Sequence, residues 1–244
     1  MFLLLIAAAA FCATFAGGLF ALRLRDKLHL VLGFSAGAVI AVAFFDLLPE
    51  ALELGASYYA PATLLAFSAI GFLVYLVVDR TVLIHAGGQG HDNHDGESSD
   101  TRGWFGAGSL SAHSLLDGVA IGLAFQASPA VGATVTFAVL THDFSDGINT
   151  MNVVLKNRGS RTAALRWLFV NAVAPAVGIG STLLFTLPER GFAVALSMFA
   201  GFFLYLGASD LIPESHHAHP KMLTTVMTLL GAAVLYAAAT LAGR

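Results

Sequence analysis

Apolar residues run through this chain in long blocks separated by short polar breaks. Each block is close to the length a helix needs to cross a hydrocarbon core, about 20 residues. Eight of them predict membrane helices over 2–22, 30–53, 61–84, 104–126, 130–155, 162–187, 191–212 and 221–242. Most breaks are short, so successive helices should be antiparallel neighbours. The exception is 86–102, whose Gly, Ser, Asp and His content predicts a flexible loop within a single transmembrane domain covering 1–244. The expected fold class is all-α, a polytopic membrane protein with eight transmembrane helices.

Composition agrees. Hydrophobic residues make up 57% and charged residues 11% of the chain, and mean hydropathy is +0.78. Soluble domains carry about a quarter charged residues, so membrane lipid is the expected surrounding. A net charge of −3 argues against nucleic acid as a partner. The single cysteine, Cys12, excludes an intramolecular disulfide framework and a cysteine-rich zinc site. The first apolar block has its positive charges (Arg23, Arg25, Lys27) behind it, which suits a first membrane helix better than a signal peptide.

Charge also orients the chain. One set of loops holds Arg23, Arg25, Lys27, Arg80, Arg102, Lys156, Arg158, Arg161 and Lys221; the opposite set holds Arg190 and Arg244 together with Glu53 and Glu189. Positive charge favours the cytoplasmic side, so both termini are expected outside the cytoplasm, in a plasma or inner membrane. Tyr58 and Tyr59 fall at the expected outer interface. An internal echo suggests duplication: Asp46-Leu-Leu-Pro-Glu50 is read as closing the second span and Asp210-Leu-Ile-Pro-Glu214 the seventh. They fall on opposite faces, which predicts that spans 1–3 repeat as spans 6–8, inverted, around spans 4 and 5. Chance similarity between two short helix ends is the alternative.

The candidate chemistry lies on spans 4 and 5. One reads His113-Ser114-Leu-Leu-Asp117-Gly118 and the other His142-Asp143-Phe-Ser-Asp146-Gly147. Positions i and i+4 share a helix face, so each His points the same way as its Asp, with Ser114 and Asp143 on the flank. A Ser128-Pro129 turn makes the two helices antiparallel, and their midpoints can meet. A carboxylate at bilayer centre costs about 2.5–3.5 kcal/mol on insertion scales, and Asp117, Asp143 and Asp146 would repel one another if all were ionised. Three readings stand: hydrogen-bonded pairs within each helix, a proton relay, or a divalent metal held by His nitrogen and carboxylate oxygen. Duplication on neighbouring spans favours the metal. Gly118 and Gly147 should let spans 4 and 5 approach closely.

This pattern resembles the ZIP (Zrt/Irt-like) family of metal transporters in its motif pair, span count and long loop after span three. The resemblance implies extracellular termini and a metal site between spans 4 and 5, with His113, Asp117, His142 and Asp146 as primary ligands. It further implies a second metal position with Ser114 and Asp143, bridged by Asp117 and Asp146. Here serine stands where the family has asparagine, aspartate replaces glutamate, and the family's motif proline is absent. The implied function is passage of a divalent transition metal, zinc first and iron or manganese next, into the cytoplasm, with no organic cofactor.

Further residues are candidates for the route. Asp46 and Glu50 could gather cations at the outer mouth; Asn149 extends the His142–Asp146 stripe. Asp210, Glu214, His216, His217 and His219 sit at the inner end, and His91 and His94 in the long loop could capture metal. His29 and His85 also fall on that side. An intramembrane metal-dependent hydrolase and a metal sensor are competing functions; the first lacks a His-Glu-x-x-His stretch and an evident general base. Small residues such as Ala36-Gly37-Ala38 could pack helices within the chain or in a homodimer.

Overall fold

The fold was derived from a computed structural model, which describes residues 2–20, 28–86, 98–157, 159–217 and 222–241. Among these the chain forms eight long helices. They are α1 (Phe2–Phe20), α2 (28–55), α3 (Pro61–Ala86), α4 (Ser98–Ala127), α5 (Pro129–Lys156), α6 (Arg161–Ser181), α7 (189–217) and α8 (Met222–Leu241). Seven are apolar and long enough to cross a membrane. The eighth, α5, has 28 residues, but its polar residues lower its hydropathy. His142, Asp143, Ser145, Asp146 and Thr150 are all buried, because α1, α2, α4 and α6 pack around it. The outer surface is the reverse: Leu4, Leu73, Val77 and Leu229 are all more than half exposed. Apolar outside and polar inside is the arrangement that suits lipid as solvent. The protein is thus a multi-pass integral membrane protein.

Several span ends differ from the sequence reading. Helix α4 begins at Ser98, so 98–102 belong to a helix rather than to the expected 86–102 loop. His91 and His94 lie outside the described residues, as does His219. The α4–α5 turn is as expected: Ser128 accepts a hydrogen bond from the Val131 amide, and Pro129 occupies the first helical turn.

The two Asp-x-x-Pro-Glu stretches do not close their helices. In α2 a π-helical segment, Ala43–Leu47, precedes Leu48–Gly55. In α7 another, Leu206–Leu211, precedes Ile212–His217. Each wide turn shifts the hydrogen-bond register just ahead of a proline. Pro49 and Pro213 then sit in a fresh first turn, where a missing N–H costs little.

Packing follows the inverted repeat. Helix α1 packs on α5 as α6 packs on α4, and α2 packs on α8 as α7 packs on α3. Each of these four pairs is closed by two glycines. A Cβ on Gly17 would overlap the Phe144 carbonyl oxygen, and one on Gly147 would overlap that of Thr14. The same reciprocal relation links Gly118 and Gly178 with the Pro175 and Leu115 carbonyls. It recurs for Gly37 and Gly231 between α2 and α8, and for Gly71 and Gly201 between α3 and α7. Gly118 and Gly147 therefore do not draw α4 and α5 together; each seats an outer helix against the motif helix. Gly37, between buried Ala36 and Ala38, packs within the chain. The glycine contacts divide the helices into two sets, α1, α4, α5 and α6 in one and α2, α3, α7 and α8 in the other.

Candidate metal site between α4 and α5

The i, i+4 spacing places His113 and Asp117 on one face of α4, and His142 and Asp146 on the facing side of α5. All four are buried. His113 Nε2 lies 3.1 Å from Asp117 Oδ2 and 3.7 Å from Asp146 Oδ2, and His142 Nε2 lies 3.3 Å from the same Asp117 oxygen. One ligand atom from each residue falls within 4.8 Å of all the others. Tetrahedral zinc with bonds of about 2.0–2.2 Å separates its ligand atoms by about 3.3–3.6 Å. The three short separations fall close to that value, and the widest must close by about 1.2–1.5 Å around the ion. Asp117 Oδ1 and Asp146 Oδ2 are buried without a hydrogen-bond partner among the described residues, so the cluster has unspent capacity to bind a cation.

The rings are aimed. His142 Nδ1 lies 3.0 Å from the Ala138 carbonyl oxygen. A carbonyl only accepts, so Nδ1–H donates to it, which leaves Nε2 as the nitrogen that faces Asp117, free to ligate a cation once it carries no proton. This is the tautomer that binds metal. His113 Nδ1 lies 3.1 Å from the Tyr75 hydroxyl of α3. Phe202 of α7 covers the His113 ring, with centroids 5.3 Å apart.

Ser114 and Asp143 behave differently from the four. The Ser114 hydroxyl donates to Asn171 Oδ1 of α6 at 2.7 Å, and Asn171 Nδ2 donates to Thr150 Oγ1 of α5 at 2.8 Å. The hydroxyl proton is committed to that contact, while the oxygen keeps its lone pairs. Asp143 is buried, and neither carboxylate oxygen has a hydrogen-bond partner among the described residues; it is not one of the four clustered residues. The Ser114–Asn171–Thr150 chain ties three helices. Asn171→Leu should remove two interhelical hydrogen bonds, each worth about 0.6–1.7 kcal/mol in membranes. A lower Tm of the detergent-solubilised protein is the expected outcome, with Asn171→Gln closer to the parent.

The remaining candidates scatter. Asp46 is fully buried in the π segment of α2. It lies nine residues before the helix end, roughly 13 Å at the α-helical rise, so it is not a solvent-facing collector at the mouth. Glu50, one turn on, and Asn149 are partly exposed. Asp210, Glu214, His216 and His217 belong to the final stretch of α7.

Tyr75 and Asn171 were missed in the sequence. Both were visible there as polar side chains in mid-span, far from the interfaces where tyrosine is ordinarily placed. A third such feature is the Tyr205 hydroxyl, which donates to Asp79 at 2.8 Å.

Comparison with known proteins gives the family. A family model described as ZIP Zinc transporter matches residues 83–239. The chain is 25% identical to "Zinc transporter ZupT" of Corynebacterium aurimucosum, over 91% of this chain and 90% of that protein. It is 28% identical to "Zinc transporter SLC39A7" of Homo sapiens, over 51% of this chain and 29% of the human protein. The mouse protein of that name is 24% identical over 86% of this chain and 62% of its own length. With that match spanning more than half of its residues, including both motif helices, the chain belongs to the ZIP family of transporters.

Proposed function

We propose that the protein carries divalent transition-metal ions, zinc foremost, across a membrane into the cytoplasm through the cluster of His113, Asp117, His142 and Asp146. The observation that carries this reading is the convergence of two nitrogen and two oxygen ligands, all buried, halfway along two adjacent helices. Transport of a divalent metal is the activity the family supports, and the chain is not an enzyme; the hydrolase reading finds no support.

Borderline-soft imidazole with carboxylate suits zinc, and accommodates iron or manganese. The chemistry also suits passage, because an ion must leave as well as bind. A divalent charge between Asp117 and Asp146 offsets the repulsion of two buried carboxylates, so the ion and the pair stabilise each other only while together. The charge count of the loops supports both termini lying outside the cytoplasm, and the inward direction follows the resemblance to the family. On this reading Asp46 and Glu50 belong to the outer half of the route, and Asp210, Glu214, His216 and His217 to the inner end.

The test is uptake by sealed vesicles containing the purified protein and a fluorescent zinc indicator. Zinc should enter at a saturable rate, and excess iron(II) or manganese(II) should compete only weakly. Indistinguishable flux in protein-free vesicles would overturn the proposal.

A further inference from the structure

We infer that Tyr75 is a positioning residue for metal binding: its hydroxyl holds the His113 ring so that Nε2 faces Asp117 and Asp146. The inference rests on the metal-site reading above and adds to it a residue from the other set of helices.

The two histidines are oriented by different devices. His142 uses a backbone carbonyl of its own helix, one turn earlier. His113 has the Tyr75 hydroxyl at 3.1 Å from Nδ1. An imidazole ligand keeps its orientation when the nitrogen away from the metal is hydrogen-bonded, and losing such a partner typically costs about 10–100-fold in affinity. A hydroxyl can accept from Nδ1–H, which leaves Nε2 as the ligating lone pair.

Tyr75 lines an apolar crevice between α3, α4 and α7, together with Val74, Val78, Leu116, Phe199 and Phe202. Apart from Tyr75 itself, the described side chains lining it are apolar, so a water replacing the hydroxyl would have few partners besides His113 Nδ1. The ring itself is fixed by edge contacts with Phe202 and Tyr205, at centroid distances of 4.4 and 5.2 Å. Tyr75 thus brings a rigid donor and acceptor to His113 from α3. The contact crosses between the two glycine-closed sets of helices, so His113 is held this way only while α3 stays against α4.

The experiment compares full-length parent, Tyr75→Phe, Tyr205→Phe and Asp117→Ala. Zinc binding in detergent is measured by titration calorimetry, and the concentration dependence of uptake is measured in vesicles. Phenylalanine keeps the ring contacts and each Tyr→Phe variant loses one interhelical hydrogen bond, so Tm without added metal should fall slightly and about equally in both. Tyr75→Phe should weaken zinc binding about 10–100-fold and raise KM in step, with the maximal rate less affected. Tyr205→Phe loses its bond to Asp79 but touches neither histidine, and should bind as the parent does. With cobalt(II) as probe, the visible ligand-field band of Tyr75→Phe should shift, which loss of packing elsewhere would not produce. A Tyr75→Phe affinity within about fivefold of the parent, or an equal loss in Tyr205→Phe, would overturn the positioning role. Parent-like binding by Asp117→Ala would instead overturn the metal site itself.

Discussion

Asp117→Ala is expected to reduce zinc uptake to background, a loss of at least about 100-fold, while the protein still inserts and folds. One oxygen, Asp117 Oδ2, lies 3.1 Å from His113 Nε2 and 3.3 Å from His142 Nε2. It is the atom through which the two motif helices meet, so its removal takes away a ligand and the link between the others. Stability should move the other way. A buried carboxylate costs about 2.5–3.5 kcal/mol at bilayer centre, so alanine should leave Tm without metal equal or higher. Metal would no longer raise it. In the parent, zinc at a hundred times its Kd should contribute about 2.7 kcal/mol of stabilisation, and the variant should show none. Uptake equal to the parent, or an undiminished zinc-dependent rise in Tm, would refute the shared site.

The membrane fold and this site were legible for one reason: both rest on local rules. Span length follows from bilayer thickness, and the shared face of His113 and Asp117 follows from helical periodicity. Antiparallel placement of α4 and α5 follows from a one-residue turn. None of these needs knowledge of distant contacts. Even the inverted repeat left a trace in the Asp-x-x-Pro-Glu stretches, although they mark π turns within helices rather than helix ends. Proline in sequence announces an interruption in hydrogen bonding; whether a helix stops or shifts register depends on what packs beyond it. Leu48 and Ala51 are buried, and that burial carries α2 onward to Gly55.

What remained hidden depends on contacts between residues far apart in the chain. Ser114 on the flank of the motif is expected at a second metal position, and the sequence does not show that its hydroxyl also donates to Asn171, 57 residues away. Tyr75 lies 38 residues before the histidine it meets. Periodicity places a side chain on a face but does not say which helix covers that face. The glycines show the same limit: their small size predicted a close approach, and only the packing of α1 and α6 revealed to what.

Gly147→Val is expected to abolish folding. Helices α1 and α5 approach so closely that a Cβ at position 147 would overlap the Thr14 carbonyl oxygen and press on the Gly18 amide nitrogen. Both obstacles are backbone, so no rotamer change relieves them, and no substitution at Thr14 could rescue the variant. The helices would have to part, which also unseats the reciprocal contact of Gly17 with the Phe144 carbonyl. Overpacking of a core ordinarily costs about 1–3 kcal/mol; a backbone clash that opens a whole helix pair should reach or exceed the upper end. Asp146 is the neighbouring residue, so any molecules that did fold would have a displaced ligand. The expected result is loss of the monodisperse peak in size-exclusion chromatography of the detergent extract, with no zinc binding in what remains. Gly180→Ala provides the contrast. It too lies in a membrane helix, α6, but a Cβ there meets nothing within 4 Å, and alanine favours helix over glycine by about 1 kcal/mol. That variant should be as stable as the parent or slightly more so. If Gly147→Val folds and takes up zinc as Gly180→Ala does, close backbone approach is not what seats α1 against the metal-binding helix.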